Sequence, residues 1–153
     1  MTLFQPTFGS TLITDPKSTA LAAFGWLKKY SEALDSLPGP TPELCNQITA
    51  QLDMLSAALA QWRLQLIEEY RLFPTGAIDI QLDLLNGQIT TYKRLMLLFY
   101  PVCLDRSTRF YRLLADVQEK LSEIFFTTNT LISWGLAIEN GSTSQQLTLP
   151  LGL

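Results

Sequence analysis

Histidine is absent from this chain of 153 residues. That removes Ser-His-Asp and Cys-His catalysis, His-ligated zinc and the Glu-x-x-His di-iron bundle. Cysteine is nearly absent as well. Cys45 and Cys103 stand far apart with no Cys-x-x-Cys, so they read as buried thiols of a reducing compartment, not as a disulfide framework or a metal site. Charge is scarce, at 16% of residues where soluble domains usually carry about a quarter. The 11 bases do not outnumber the 14 acids, and a net charge of −3 provides no global field for nucleic-acid phosphates. No phosphate-binding Gly loop and no Gly-x-Ser-x-Gly elbow occurs. The opening residues, Met1-Thr2-Leu3-Phe4-Gln5-Pro6, have neither the basic region nor the apolar core of a signal peptide. The strongest apolar run, Leu95 to Leu104, is interrupted by Pro101 and falls short of the roughly 20 residues a membrane span needs. The expectation is a cytoplasmic protein with no membrane segment.

What is present is apolar surface: 47% hydrophobic residues and a mean hydropathy of +0.15. That composition argues against disorder, and the length suits a single domain with one core. Asp15-Pro16 supplies a cap acceptor and a proline at the first helical position. The helix that follows sets Leu21, Phe24, Leu27, Leu34 and Leu37 near one face and stops at Pro38-Gly39-Pro40. Thr41-Pro42-Glu43 repeats the start signal. Behind it Leu44, Ile48, Leu52, Leu55, Leu59, Trp62, Leu66, Tyr70 and Phe73 step by threes and fours up to Pro74-Thr75-Gly76.

The third segment supports two readings. Ile78, Ile80, Leu82 and Leu84 alternate with polar residues and lead into Asn86-Gly87, a strong hairpin signal. Yet Ile78, Leu82, Leu85, Ile89, Tyr92, Met96, Phe99 and Cys103 continue a heptad series straight through that turn. The longer series favours a helix that Pro101 kinks or ends. A fourth segment starts near Asp105, with Phe110, Leu114, Val117, Leu121, Ile124, Thr128 and Leu131 on one stripe and an αL stop at Glu139-Asn140-Gly141. Leu84, Leu95, Leu98, Leu113, Phe125 and Ile132 widen the stripes, so each helix should face more than one neighbour. The pattern predicts an all-α, up-down-up-down four-helix bundle over 15–140. An extended arm over 1–14 precedes it, and a flexible tail over 141–153 follows.

Candidate chemistry in the body is thin. Asp79 and Asp83, like Glu119 and Glu123, are i,i+4 acids expected on solvated faces. Asp105 with Arg109, Arg112 with Asp116, and Asp116 with Lys120 have salt-bridge spacing. Arg106, Arg109 and Arg112, with Lys93 and Arg94, form at most a local basic patch diluted by acids. Trp26, Trp62, Phe110, Phe125, Phe126 and Trp134 fall at core spacing. No enzymatic activity, cofactor or metal is expected, and neither is direct nucleic-acid binding.

The tail differs in kind. Ser142-Thr143-Ser144-Gln145 is a polar tether, and Leu147, Leu149, Leu151 and Leu153 alternate around Pro150 as in an extended peptide. Alternating apolar side chains on a tether are the form of a linear recognition element. Gln146-Leu147-Thr148-Leu149-Pro150-Leu151 resembles the hexapeptide by which bacterial replication and repair proteins dock on the DNA polymerase sliding clamp, Gln-Leu-x-Leu-x-Leu or Phe. With 29 leucines and 10 glutamines in the chain, composition alone yields the pattern roughly 4 times per 10,000 starting positions. The resemblance implies that Gln146 places its amide in a polar subsite and that Leu149 and Leu151 fill a hydrophobic pocket. Leu147 would support them, with Thr148 and Pro150 outward. It covers six residues of 153. The implied function is a non-enzymatic adaptor or regulator at the clamp. The alternative is a structural helical-bundle protein that self-associates or receives a partner's helix, its tail incidental.

Overall fold

The computed structural model describes residues 13–34, 41–70, 76–102 and 108–141, without the Tyr70 side chain. Four helices make up the body: α1 Pro16–Ser31, α2 Pro42–Tyr70, α3 Gly76–Phe99 and α4 Thr108–Glu139. Short 3₁₀ turns, Glu32–Leu34 and Tyr100–Val102, follow α1 and α3. The architecture is the expected all-α bundle. Leu37, Pro38-Gly39-Pro40, Phe73, Pro74-Thr75, Cys103, Asp105 and Arg106 lie outside the described residues, as do the tail and all of the arm before Ile13.

Four of the helix ends have a local cause in the described residues. Asp15 caps α1: its carboxylate accepts from the Ser18 amide at 3.2 Å and the Ser18 hydroxyl at 2.7 Å. The Ser18 bonds hold this carboxyl below the usual aspartate range. Pro16 then occupies the first turn, where no amide donor is needed. Thr41 caps α2 by accepting from the Leu44 amide at 3.1 Å. α3 ends at Phe99, two residues before Pro101. α4 ends in a left-handed glycine, Gly141 at φ 83°, whose amide returns to the Ile138 carbonyl at 3.0 Å.

No hairpin forms around Asn86-Gly87. Both residues sit inside α3, where Asn86 accepts a hydrogen bond from Ser56 of α2 at 2.5 Å. Burying Ile78, Leu82, Leu85, Ile89, Tyr92, Met96 and Phe99 on one face outweighs the ~1 kcal/mol that an interior glycine costs a helix.

α1 packs chiefly on α2 and α3 on α4, while α2 meets α3 and also touches α4 across the centre. Phe24 of α1 meets Phe125 of α4 edge-on at 5.8 Å between ring centroids. Phe99 of α3 lies 5.5 Å from Phe110 of α4. The α4 stripe is buried as the spacing requires, Thr128 included. Three expectations need correction. Leu21 is 40% exposed, and Ala20 and Ala23 take its place on the buried face, because small residues let α1 lie close. Leu84 and Leu98 face outward instead of reaching a second neighbour. Phe126 is 68% exposed, whereas Trp62, Phe110 and Trp134 are core and Trp26 and Phe125 are half-buried.

The α2–α4 contact depends on one missing side chain. A Cβ on Gly135 would stand 2.5, 2.7 and 2.9 Å from ring carbons of Trp62. The indole cannot easily retreat, because its N–H donates to Glu139 at 3.0 Å. Gly135→Ala should therefore destabilise the fold despite alanine's ~1 kcal/mol helix advantage, since overpacking costs about 1–3 kcal/mol. The measurement is the midpoint of thermal unfolding, which moves about 2–4 °C per kcal/mol in chains of this size. An unchanged or raised midpoint would mean that the α2–α4 contact yields readily.

Candidate functional site

The partner-binding residues read from the sequence, Gln146, Leu147, Leu149 and Leu151, lie outside the described residues. What the body contributes is their point of departure. The αL glycine that ends α4 stands five positions before Gln146.

Within the body, three ion pairs among the described residues join helices. Lys93 of α3 pairs with Asp53 of α2 at 2.6 Å, and Lys17 of α1 with Glu139 of α4 at 2.7 Å. Arg63 of α2 forms an ion pair with Asp79 of α3, so Asp79 is a cross-helix partner and not simply a solvated acid. Asp83 and Glu119 are exposed as expected. Lys120 turns to Glu123 at 2.7 Å instead of Asp116, and no Arg112–Asp116 ion pair forms among the described residues. These partly exposed pairs fix register more than they add stability, each contributing about 0–1 kcal/mol. Arg94, Arg109 and Arg112 are exposed, while Lys93 is engaged by Asp53. The acids do not gather. Among the described residues no group of three or more His, Cys, Asp or Glu could hold a metal ion.

Polar chemistry in the interior is limited. Cys45 is fully buried. Tyr92 is buried beside it, and desolvation pushes its phenol far above the ordinary range. Tyr100 donates a hydrogen bond to Asn46, linking the end of α3 to α2. Next to that link an open groove of about 380 Å³ runs between α2 and α3, walled by Met96, Leu97 and Tyr100 with Lys93 and Arg94 at its rim. No helix among the described residues is long and apolar enough to cross a membrane.

A surface that the sequence reading missed is the outward side of α3. Ile80, Leu84 and Leu98 are 67%, 46% and 49% exposed. With Gly87, Thr91 and Arg94 they repeat every three or four residues, directly opposite the buried stripe. The signal was present. Ile80 and Leu84 were the other half of the alternation that suggested a strand, and once α3 is a helix the two sets of residues occupy opposite faces. No protein-family model, curated protein or solved structure matches this chain.

Proposed function

We propose that this chain is a non-enzymatic adaptor of the bacterial cytoplasm that docks on the DNA polymerase sliding clamp through Gln146-Leu147-Thr148-Leu149-Pro150-Leu151. The observation that carries the reading is the hexapeptide itself, set beyond the glycine stop of α4 and a polar tether. In this reading the Gln146 amide is the polar anchor, and Leu149 and Leu151 supply the buried apolar surface. Three ion pairs that tie the bundle's own helices together suit a scaffold that presents the peptide.

The test is surface plasmon resonance of purified bacterial clamp against the full chain and a version ending at Gln145. The full chain should bind in the micromolar range, roughly −8 kcal/mol, and the shortened chain should not. Gln146→Ala should weaken binding without altering the helical circular dichroism, since the changed residue lies beyond α4. Equal binding by the shortened chain, or none by the full chain, overturns the proposal. A melting temperature several degrees lower in the shortened chain, with no clamp binding, would assign the leucines to the protein's own core.

A further inference from the structure

We infer that the outward face of α3 is where a second copy of this chain packs, antiparallel and related by a two-fold axis. Three features bear on that occupant, and charge is the one that selects it. The first is the order of residues along the stripe: Ile80, Leu84, Gly87, Thr91, Arg94 and Leu98. Read backwards, the spacing is the same. An axis crossing α3 near Ile89 sets Ile80 against the partner's Leu98, and Gly87 against the partner's Thr91. Any helix stripe that steps by fours and threes has this symmetry, so the spacing permits an isologous packing without selecting it.

The second observation is charge. Asp83 and Arg94 are exposed and form no ion pair among the described residues. On a helical wheel both fall on one flank of the stripe. In a two-fold antiparallel pair like flanks meet, so Asp83 faces the partner's Arg94 with an axial offset of about 1.5 Å. The contact occurs twice. A parallel pair would bring opposite flanks together and forfeit it.

The third is Gly87. It interrupts the middle of a 24-residue helix, it is exposed, and a Cβ built on it would meet nothing within 4 Å. Gly135 is explained inside the chain by Trp62. Gly25 of α1 is equally open, so what distinguishes Gly87 is its place at the stripe's centre, where a crossing helix gains from the close approach that a missing side chain allows.

Sedimentation equilibrium of the full chain over a concentration series tests this. The expected result is a reversible dimer, twice the 17.2 kDa of one chain. Gly87→Glu should raise the dimer dissociation constant at least about tenfold while keeping the helical circular dichroism, because glutamate favours the helix more than glycine does. Asp83→Arg and Arg94→Asp should each weaken the dimer, and the two together should restore it. That restoration is specific to the antiparallel arrangement. A monomer at every concentration overturns the inference, as does a dimer indifferent to all three changes or charge reversals that fail to rescue each other. The version ending at Gln145 should dimerise like the full chain. If only the shortened version dimerises, the tail leucines cover this face, and the inference falls while the clamp proposal is judged separately.

Discussion

Trp62→Ala is expected to remove about 3–5 kcal/mol of stability, a large share of the 5–15 kcal/mol typical of a whole domain. The side chain is 2% exposed and fills the space between α2 and α4 that Gly135 leaves open. Its loss creates a cavity at the contact across the bundle's centre. It also removes the hydrogen bond to Glu139, which keeps Lys17 as a partner. Trp62→Phe separates the two effects, since it retains most of the apolar ring and loses only the N–H donor. Hydrogen bonds to charged groups contribute about 1.5–3 kcal/mol, and the partly exposed Glu139 places this one toward the lower end. A smaller ring also gives a Cβ at position 135 room. Combining Trp62→Phe with Gly135→Ala should therefore cost less than the sum of the two. Urea unfolding followed by circular dichroism measures all four chains. Strict additivity would mean that ring and glycine do not constrain each other.

The second large effect concerns the clamp. Changing Leu149 and Leu151 together to alanine should remove about 1.5–3 kcal/mol of binding per leucine. The combined loss exceeds a hundredfold in affinity and would take a micromolar complex out of the measurable range. Thr148→Ala, whose side chain the clamp proposal turns away from the pocket, should bind as the parent does. Both variants should keep the parent's melting temperature. Undiminished clamp binding by the double variant would show that the hexapeptide is not the docking element. A loss confined to stability would place the leucines in the bundle.

The helices were legible because their causes are local. Asp15-Pro16, Thr41-Pro42 and Gly141 act within a turn of themselves, and the long apolar series fixes which face of each helix turns inward. What periodicity leaves open is how far a neighbour reaches around that face. Leu21 lies beside a buried stripe, while Leu84, Leu98 and Phe126 lie on the outward sides of α3 and α4, where no neighbour among the described residues covers them. The ion pairs followed the same rule. Asp79 and Lys93 found partners on α2, a choice that depends on helix packing more than on spacing along one chain. The role of Gly135 was equally hidden, because its reason, Trp62, lies on another helix. As for the candidate sites, the hexapeptide is readable only in sequence. The α3 stripe becomes readable only after the hairpin alternative is gone.

The pairing of α1 with α2 and of α3 with α4 also sets the order in which this chain can acquire structure. Each pair joins neighbours in sequence, so closing it costs little loop entropy and such topologies fold quickly. On the ribosome the first pair can form while α4 is still being made. At that stage Trp62 has no Gly135 to lie against, and its ring stays uncovered. Contacts of α2 with α3, and of α4 with α1 and α2, then join the two hairpins into one body, and the nascent chain is most exposed to misassociation before α4 docks.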